Sequence, residues 1–449
     1  MPSQLSLLRR LSRKTSCSLV FLTAIALSLP CFFVKSNDLR AQPSSQCPPL
    51  PAPYATKSVA NPPQVIGWQR GATPTAPAGF EVNLFADKLM SPRWLHVLPN
   101  GDVLVSEANT GKPTGLSDNV LKSLSDVKQL FGNIGNVVLL LRDTNGDGNA
   151  DDINVLLKGL NRPFGLAYYR DHLYVAETNA ISIYPYKLGQ LEITDSGNKI
   201  MDLPANGYNN HWTRDLLIDE KARKLFYTVG SASNVGEGGF DDREPRRAAI
   251  SVCDLDGKNS SIYASGLRNP VGIAFEPHTK GLWASVNERD GLGDDLVPDY
   301  LTSVKKDGFY GWPYSYYGQN LDPRKKGEHP ELVAKAIVPD YQLGSHVAAL
   351  GLTFYTARAF PEKFWGGAFI GEHGSWNRSK RVGNRVVFVS FKNGKAVGDP
   401  IDFLTGFINP ANEKQVYGRP VGVAVWKDGS LLVADDAGGK IWRVAPVKK

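Results

Sequence analysis

One motif recurs six times in this chain: a basic or polar residue, an apolar strand, a turn, and a second strand that ends in an acid or a threonine. Its clearest copies run from Gly266 to Glu288 and from Gly418 to Asp435. The other copies begin at Ser91, Asn161, Asn210 and His346. Their starts lie about 50 to 80 residues apart, near the length of one four-stranded blade with its loops. The repeat therefore predicts an all-β fold, a six-bladed β-propeller of four-stranded blades.

Segments between the copies carry the remaining strand signals. Third strands are predicted where β-branched and aromatic residues cluster, at 136–141, 180–184, 248–252 and 385–391. The ring must also be closed, and Phe80–Phe85 alternates like a half-buried strand. We predict that this strand pairs with Lys440–Val444, in a propeller that spans residues 76–449. Residues 119–131 are interpreted as an insertion with helical character.

The first 41 residues are typical of a secretory signal peptide. Four basic residues between positions 9 and 14 precede an apolar run from Ser18 to Val34, and Leu39-Arg40-Ala41 offers a processing site. The alternative is an uncleaved membrane anchor, because the run approaches spanning length. We expect an exported protein, periplasmic or extracellular, without a stable membrane span once the leader is removed.

Charge and cysteine content narrow the class of protein. Residues 1–41 hold six Lys or Arg and one Asp, a net +5 of the formal +7, so the remainder carries +2. A chain so close to neutrality, without a basic run, gives no reason to expect a nucleic-acid partner. Cys47 and Cys253 remain after the leader, and they either pair or stay as free thiols. Residues 42–75, rich in Pro, Ser and Ala, predict a linker or an extended strap.

An oxygen-rich loop follows the first predicted third strand. Its side chains alternate at Asp143, Asn145, Asp147, Asn149 and Asp151, with glycines that permit a sharp turn. This spacing suits a structural Ca²⁺. A hairpin turn of Asp, Asn and Gly that needs no ion is the alternative.

The polar residues that open each motif define a candidate site. In a propeller the first strand of every blade lines the axis, so these residues converge at one end of the channel. They are Arg93, Arg162, His211, Arg268, Asn269, His346 and Arg419. A ring this cationic suggests an anionic ligand. The alternative is that each Arg pairs with a loop carboxylate, for example Glu107, Glu177, Glu288, Glu372 or Asp435 after the second strand of its own or a neighbouring blade.

Several blocks in this order resemble the soluble pyrroloquinoline quinone (PQQ)-dependent sugar dehydrogenases, the glucose/sorbosone dehydrogenase family. They are Asn210-His211, Leu267-Arg268-Asn269-Pro270, the loop 288–295 and Gly308–Pro313. The block 371–378, Gly-Glu-His-Gly-Ser-Trp-Asn-Arg, is similar to the sorbosone dehydrogenase branch. The resemblance covers roughly residues 79–444, and the family's fold is also a six-bladed propeller.

The resemblance implies oxidation of a sugar at its anomeric carbon, with hydride passed to PQQ. His211 would be the base that takes the hydroxyl proton. Arg268 and Asn269 would stabilise charge on the quinone oxygens. Cofactor carboxylates would be bound by Arg419, Arg162 and Arg378, with His373 as a further cofactor contact, and Ca²⁺ by the backbone of Asp290 and Gly291. Trp376 and Tyr317 are the candidate substrate contacts, since aromatic faces suit sugar rings.

Three departures from the glucose-oxidising members put cofactor binding in question. Val271 replaces a Gln, Tyr417 replaces one of two closely spaced arginines, and a cofactor-binding Lys of the fifth blade has no equivalent, with His373 and Arg378 nearest to it. Two other functions therefore stay open, a six-bladed Ca²⁺-dependent lactonase or hydrolase and a non-catalytic binding propeller. The sequence assigns no particular sugar, electron acceptor or oligomeric state.

Overall fold

The computed structural model describes residues 49–108 and 135–447, and it confirms the all-β, six-bladed propeller. The predicted leader, Cys47 and residues 119–131 lie outside the described residues. Helical structure within the described ranges is limited to Pro330–Val333 and two 3-10 turns, Glu237–Gly239 and Glu362–Phe364. No helix in these ranges is long and apolar enough to cross a membrane.

Strand bounds follow the predicted repeat closely. Two strands precede the blades, β1 (Gln64–Val65) and β2 (Phe80–Ala86). Blade one contains β3 (Pro92–Val97), β4 (Val103–Glu107), β5 (Val137–Arg142) and β6 (Asp152–Leu157). Blade two contains β7 (Leu166–Tyr169), β8 (His172–Ala176), β9 (Ala180–Pro185) and β10 (Asn198–Asp202). Blade three contains β11 (Leu216–Asp219), β12 (Lys224–Val229), β13 (Ala249–Asp254) and β14 (Ser261–Ser265).

The later blades carry the insertions. Blade four runs through β15 (Pro270–Phe275), β16 (Leu282–Val286) and β17 (Pro298–Ser303), then an excursion with β18 (Gly308–Phe309), β19 (Ser315–Tyr316) and β20 (Asn320–Leu321), and ends with β21 (Tyr341–Ser345). Blade five contains β22 (Ala349–Phe354), β23 (Ala368–Glu372), β24 (Arg385–Lys392) and β25 (Lys395–Leu404). After β26 (Gln415–Val416), blade six contains β27 (Pro420–Val425), β28 (Leu431–Asp435) and β29 (Lys440–Pro446).

The predicted closure of the ring is confirmed. Strand β2 pairs antiparallel with β29, with Phe80 opposite Pro446 and Val82 opposite Val444. The N-terminal strand thus becomes the outer strand of blade six, which the C-terminal residues otherwise build. Around the axis the inner strands β3, β7, β11, β15, β22 and β27 contact one another in that order, and β27 returns to β3.

Apolar side chains fill the spaces between blades and also the axis. Six buried clusters each join two consecutive blades. A seventh lies on the axis and takes one residue from every blade: Trp94, Phe164, Trp212, Val271, Leu350 and Val421. Because each of these follows the polar residue of its repeat by one to four positions, the polar ring lies above an apolar floor.

Glycine recurs in the repeat because the inner strands approach one another closely. A Cβ at Gly422 would lie 2.6 Å from the backbone oxygen of Arg93 on the neighbouring blade, and one at Gly351 would lie 2.2 Å from that of Val421. These contacts are with backbone, which cannot move aside as a flexible side chain can. The glycine of the motif is therefore a packing requirement of the ring.

Replacing Gly422 with alanine is expected to destabilise the propeller by about 1–3 kcal/mol, because the added methyl group overpacks the axis. Thermal unfolding of the two proteins measures the effect. Gly281→Ala is the matched control, since its Cβ would meet only the Thr279 hydroxyl, at 3.4 Å. Equal melting temperatures for Gly422→Ala and the unmodified protein would contradict this account.

Candidate active site

His211 is held as a neutral base at the end of the loop that leads into blade three. Its Nδ1 lies 2.8 Å from the Ser231 carbonyl and 2.9 Å from Ser231 Oγ, whose own proton goes to the Ser233 carbonyl. Since Nδ1 faces two acceptors, it carries the ring proton, and Nε2 is left as an acceptor with no hydrogen bond to any described residue. Burial, reinforced by the positive charge of Arg268, holds the pKa of His211 well below 6.5.

This depressed pKa predicts the pH profile of any reaction in which His211 is the base. A lowered value keeps the neutral, proton-accepting form populated as the pH falls, so activity is lost only below the folded-state pKa. We expect the acid limb of kcat/KM to lie below the ordinary histidine value of 6.5. Initial rates at subsaturating substrate across the acid range test this, and a limb at or above that value would contradict it.

Asn269 lies beside His211 with an unmet hydrogen-bonding requirement. A Cβ at Gly230 would lie 2.3 Å from Asn269 Oδ1 and 2.6 Å from His211 Cβ, so both side chains rest against this glycine. Asn269 Oδ1 is buried and has no hydrogen-bond partner among the described residues. Leaving a buried amide oxygen unpaired is costly, which indicates a ligand at this position.

Arg268 connects three loops beneath this pair. Its Nη1 donates to the carbonyls of Glu288 at 2.7 Å and Asn287 at 3.3 Å. Arg268 Nη2 donates to the side-chain oxygen of Asn234 at 2.9 Å, and Arg268 Nε donates to the Asn234 carbonyl at 3.3 Å. With 1% of its surface exposed, Arg268 supplies a fixed positive charge and has at most one Nη2–H left for a ligand.

Asp290 lies between Arg268 and His346. Its Oδ2 is 3.7 Å from Arg268 Nη2, and its Oδ1 is 3.0 Å from His346 Nδ1. The other ring nitrogen of His346 donates to the Gly293 carbonyl at 2.8 Å. Burial lowers the pKa of His346, but the Asp290 carboxylate and this carbonyl outweigh burial and raise it. His346 therefore ties the Asp290–Gly293 loop to blade five through both of its ring nitrogens.

A second ion network lies on the side of blades five, six and one. Asp436 bridges Arg93 and His373, with 2.9 Å between its Oδ1 and His373 Nε2. Arg419 donates to the carbonyls of His373 and Gly374, each at 2.9 Å. Burial raises the pKa of Asp436, but its contact with His373 and the charges of Arg93 and Arg419 outweigh burial and hold this pKa well below its usual range. The guanidinium of Arg93 also lies over the ring of Trp212, 5.3 Å from its centroid. Trp212 directly follows His211 in the chain.

Burial lowers the pKa of His373 to about 4, assisted by the charge of Arg419. A neutral imidazole whose N–H points at Asp436 is not a cation for carboxylates. His373 Nε2 therefore binds Asp436, and contact of His373 with the cofactor stays a prediction. Arg162, in the left-handed region at φ 51°, makes no ion pair or hydrogen bond to another residue in the described ranges.

The acids at the ends of the second strands do not pair with the side chains of the ring arginines. They bind backbone N–H groups or another arginine: Glu107 with Met90, Glu177 with Asn161, Glu288 with Arg289, Asp435 with the N–H of Arg419, and Glu372 with Arg385. The alternative therefore holds for two arginines, although through other loop carboxylates: Asp436 pairs with Arg93, and Asp290 lies 3.7 Å from Arg268. Four arginines, Arg93, Arg162, Arg268 and Arg419, together with His346, face two carboxylates there.

Two further site predictions need correction. Arg378 pairs with Asp295 at 2.9 Å and also donates to the Asp294 carbonyl, so it joins two loops and does not extend the ring. Tyr317 is 5% exposed and packs in the core between blades three and four, 6.2 Å from the ring of Tyr300, so it cannot be the substrate platform. Trp376 is 49% exposed, so it stays the predicted aromatic contact for the substrate.

Two of the three sequence departures, Val271 and Tyr417, have structural explanations. Val271 is fully buried in the apolar floor, where a polar side chain would lack partners. Tyr417 packs against Trp68 of the N-terminal segment, with 5.4 Å between ring centroids.

In the hairpin 143–151 the Asp and Asn oxygens accept backbone N–H groups; the N–H of Gly146, for example, donates to Asp143 at 2.6 Å. The structural Ca²⁺ there stays a prediction.

The residues present fit a carboxylate-bearing quinone and a hard cation. The excess positive charge of the ring suits the quinone oxygens and the carboxylates. The orphaned oxygen of Asn269 is an acceptor, so it suits an N–H or O–H group of a ligand. For the cation, the Gly291 carbonyl accepts no hydrogen bond from the described residues, and the Asp290 carboxylate and carbonyl lie beside it. Within the same ranges no three His, Cys, Asp or Glu side chains converge as a metal site, so such a cation would depend on backbone oxygens.

Sequence reasoning missed the residues that organise the site. Asn234, Asn377 and Asp436 are hydrogen-bonded to its predicted members, yet none begins a repeat. Asp436 directly follows the acid of the sixth repeat, and Asn377 stands inside the block 371–378. Closeness to these motifs in the sequence could have pointed to Asp436 and Asn377. Their hydrogen-bond partners, however, lie on other blades, which the sequence does not show.

Two family profiles match this chain. The family described as TrAA12-like matches residues 74–305, and the one described as Glucose / Sorbosone dehydrogenase matches residues 247–398. His211 lies in the first, while Arg268 and Asp290 lie in both. Arg419 lies beyond them.

Relatives that are 27–33% identical also match this chain. An uncharacterised protein of Borreliella burgdorferi is 33% identical over 65% of this chain and 78% of its own length. An aldose sugar dehydrogenase of Escherichia coli is 27% identical over 57% of this chain and 65% of its own length. A pyrroloquinoline quinone-dependent pyranose dehydrogenase of Coprinopsis cinerea is 27% identical over 53% of this chain, which spans 40% of that enzyme.

The same propeller occurs in solved structures. The holo PQQ domain of the Coprinopsis cinerea pyranose dehydrogenase superposes with a TM-score of 0.66 at 18% identity, over 85% of this chain and all of that one. A calcium structure of the Trichoderma reesei carbohydrate-active enzyme of family AA12 gives 0.67 at 20% identity, over 83% and 97% of the two chains. These likenesses show a shared fold.

Proposed function

Because this chain belongs to the TrAA12-like family and to the soluble PQQ-dependent sugar dehydrogenases, we propose that it oxidises an aldose or related sugar at C1. The observation that carries the proposal is the free Nε2 of a neutral His211 beside Arg268 and Asn269, above a closed apolar floor. Hydride transfer to a carboxylated quinone has three requirements: a base, stabilisation of the developing charge, and a binding site for the carboxylates.

His211 Nε2 takes the proton of the anomeric hydroxyl as hydride leaves the carbon. Its lowered pKa favours return of that proton to solvent, which restores the base. Arg268 and Asn269 favour negative charge at the oxygens of the acceptor. Arg93, Arg162 and Arg419 would bind carboxylates, and the apolar floor excludes water from below.

When bound, PQQ supplies the hydride acceptor, and Ca²⁺ at Asp290 and Gly291 makes that quinone more electrophilic. A sugar is the proposed small-molecule partner, and Trp376 is the exposed aromatic residue proposed to contact it. The cationic and apolar leader supports export to the periplasm or the extracellular space. The sorbosone branch stays a prediction.

A direct test adds PQQ and Ca²⁺ to the purified protein and follows quinone absorbance, then bleaching of an artificial electron acceptor on a panel of aldoses. Saturable cofactor uptake with turnover supports the proposal. Lactone hydrolysis without cofactor would favour the hydrolase, and no response to either would favour a binding propeller.

Removal of the cation is expected to abolish turnover reversibly, since the quinone would lose its Lewis acid. Incubation with EDTA followed by Ca²⁺ replacement measures this. Turnover that persists after prolonged chelation would reject the metal role while leaving the His211 mechanism open.

A further inference from the structure

The N-terminal segment 49–66, called the strap below, crosses the loops that build one side of the site. Tyr54 N–H donates to the Leu292 carbonyl at 2.8 Å, and Thr56 Oγ1 accepts the N–H of Asp294 at 2.7 Å. A Cβ at Gly293 would lie 2.7 Å from the Thr56 carbonyl, so the strap lies directly against this glycine. The strap therefore packs on the loop 290–294, which holds the proposed cation ligands.

The strap also contacts the loop 373–381 of blade five. Asn61 N–H donates to the Trp376 carbonyl at 2.6 Å, and Asn61 Nδ2 donates to the Ser379 carbonyl at 3.1 Å. Further along, β1 pairs in parallel with β26 of the loop before blade six. One extended segment thus joins the loop 290–294 of blade four, the loop 373–381 of blade five and the connection that leads into blade six.

Asn377 lies where the strap and both loops meet. Its Oδ1 accepts the Ser58 hydroxyl at 3.0 Å and the N–H of Gly291 at 2.9 Å, while its Nδ2 donates to the Val59 carbonyl at 3.3 Å. The residue is 7% exposed, so water competes little for these bonds.

The bond to Gly291 N–H determines the orientation of a peptide unit. In a trans peptide the N–H of Gly291 and the carbonyl of Asp290 are rigidly opposed, so holding one aims the other. Asn234 holds the far side of the same unit, with its Nδ2 2.9 Å from the Asp290 carbonyl oxygen. Gly291 itself has φ +93°, a conformation that only glycine adopts readily. Two asparagines from different blades therefore clamp one peptide.

We infer that Asn377, held in turn by Ser58 of the strap, is a positioning residue for the cation-binding peptide Asp290–Gly291. The inference rests on the proposed function, since it assumes that this peptide binds Ca²⁺ beside the quinone. Through Ser58 the strap then contributes to retention of the cation, a role separate from closure of the ring by β2. Residues that orient metal ligands typically change metal affinity about 10- to 100-fold when replaced.

The experiment measures dissociation constants for Ca²⁺ and PQQ by calorimetric and absorbance titration, with thermal unfolding of the apo protein as the readout of structure. Asn377→Leu removes every polar contact at similar volume, and we expect about 10- to 100-fold weaker Ca²⁺ binding. Asn377→Asp keeps the acceptor for Gly291 N–H and is expected to restore most of the affinity. Asn61→Ala is the matched control, because it loosens the strap without touching Gly291.

If the unmodified protein binds neither Ca²⁺ nor PQQ, the proposed function fails. If it binds both and Asn377→Leu binds them equally well, the inference is overturned and the function stands. An equal loss in Asn61→Ala would also overturn it, because the effect would then come from general loosening. Should Asn377→Leu not fold, Ser58→Ala decides: weaker Ca²⁺ binding with an unchanged apo melting temperature supports the inference, and unchanged binding refutes it.

Discussion

Replacing His211 with alanine is expected to slow sugar oxidation by about two to four orders of magnitude, the usual contribution of a positioned general base. Cofactor uptake should be nearly unchanged, because Nε2 bonds to no described residue and Nδ1 binds only Ser231. Single-turnover reduction of the bound quinone by sugar isolates the step, and an absorbance titration measures the affinity separately.

His172→Ala is a suitable control for this variant, since that histidine is exposed at the outer end of a β-hairpin in blade two. It should react at the normal rate. Normal quinone reduction in His211→Ala would remove the residue from the mechanism. A loss of quinone affinity together with rate would instead make it a binding residue.

Replacing Arg268 is expected to have the second-largest effect, and lysine should rescue little of it. The guanidinium donates to Asn234, Asn287 and Glu288 at once, which a lysine ammonium cannot reproduce. Removing one partner of a buried network typically costs about 3–5 kcal/mol. We therefore expect Arg268→Met and Arg268→Lys both to melt earlier and to bind PQQ weakly.

Arg381→Lys tests whether that loss is specific. Arg381 is 4% exposed and also donates to three carbonyls, those of Ser375, Glu413 and Asn61, but it does not contact Arg268 or His211. Its replacement should lower stability while PQQ still titrates normally. If Arg268→Lys titrated like the unmodified protein, charge by itself would explain the role of Arg268.

The fold was accessible from the sequence because each blade repeats one local pattern. Third strands predicted at 136–141 and 385–391 appear at Val137–Arg142 and Arg385–Lys392, and the closing strand pairs as predicted. Alternating apolar residues and turn residues determine local structure, so their pattern can be recognised in the sequence without knowledge of the fold.

The site was accessible only in part. That His211, Arg268 and Asn269 meet follows from the repeat, since each opens a blade at the same end of the axis. Pairing of Arg93 with Asp436, and of His346 with Asp290, joins residues 343 and 56 positions apart. The assignments of Arg378 and Tyr317 failed because proximity to a motif in the chain does not specify the direction of a side chain.

The sequence by itself determined the number of blades, the order of strands and the residues that open onto the axis, because these depend on short-range periodicity repeated six times. Only the tertiary structure decided which ring members are charged, which carboxylates compensate them and which asparagines hold the Asp290–Gly291 peptide. Those properties depend on burial and on partners contributed by other blades, and neither exists until the ring has closed.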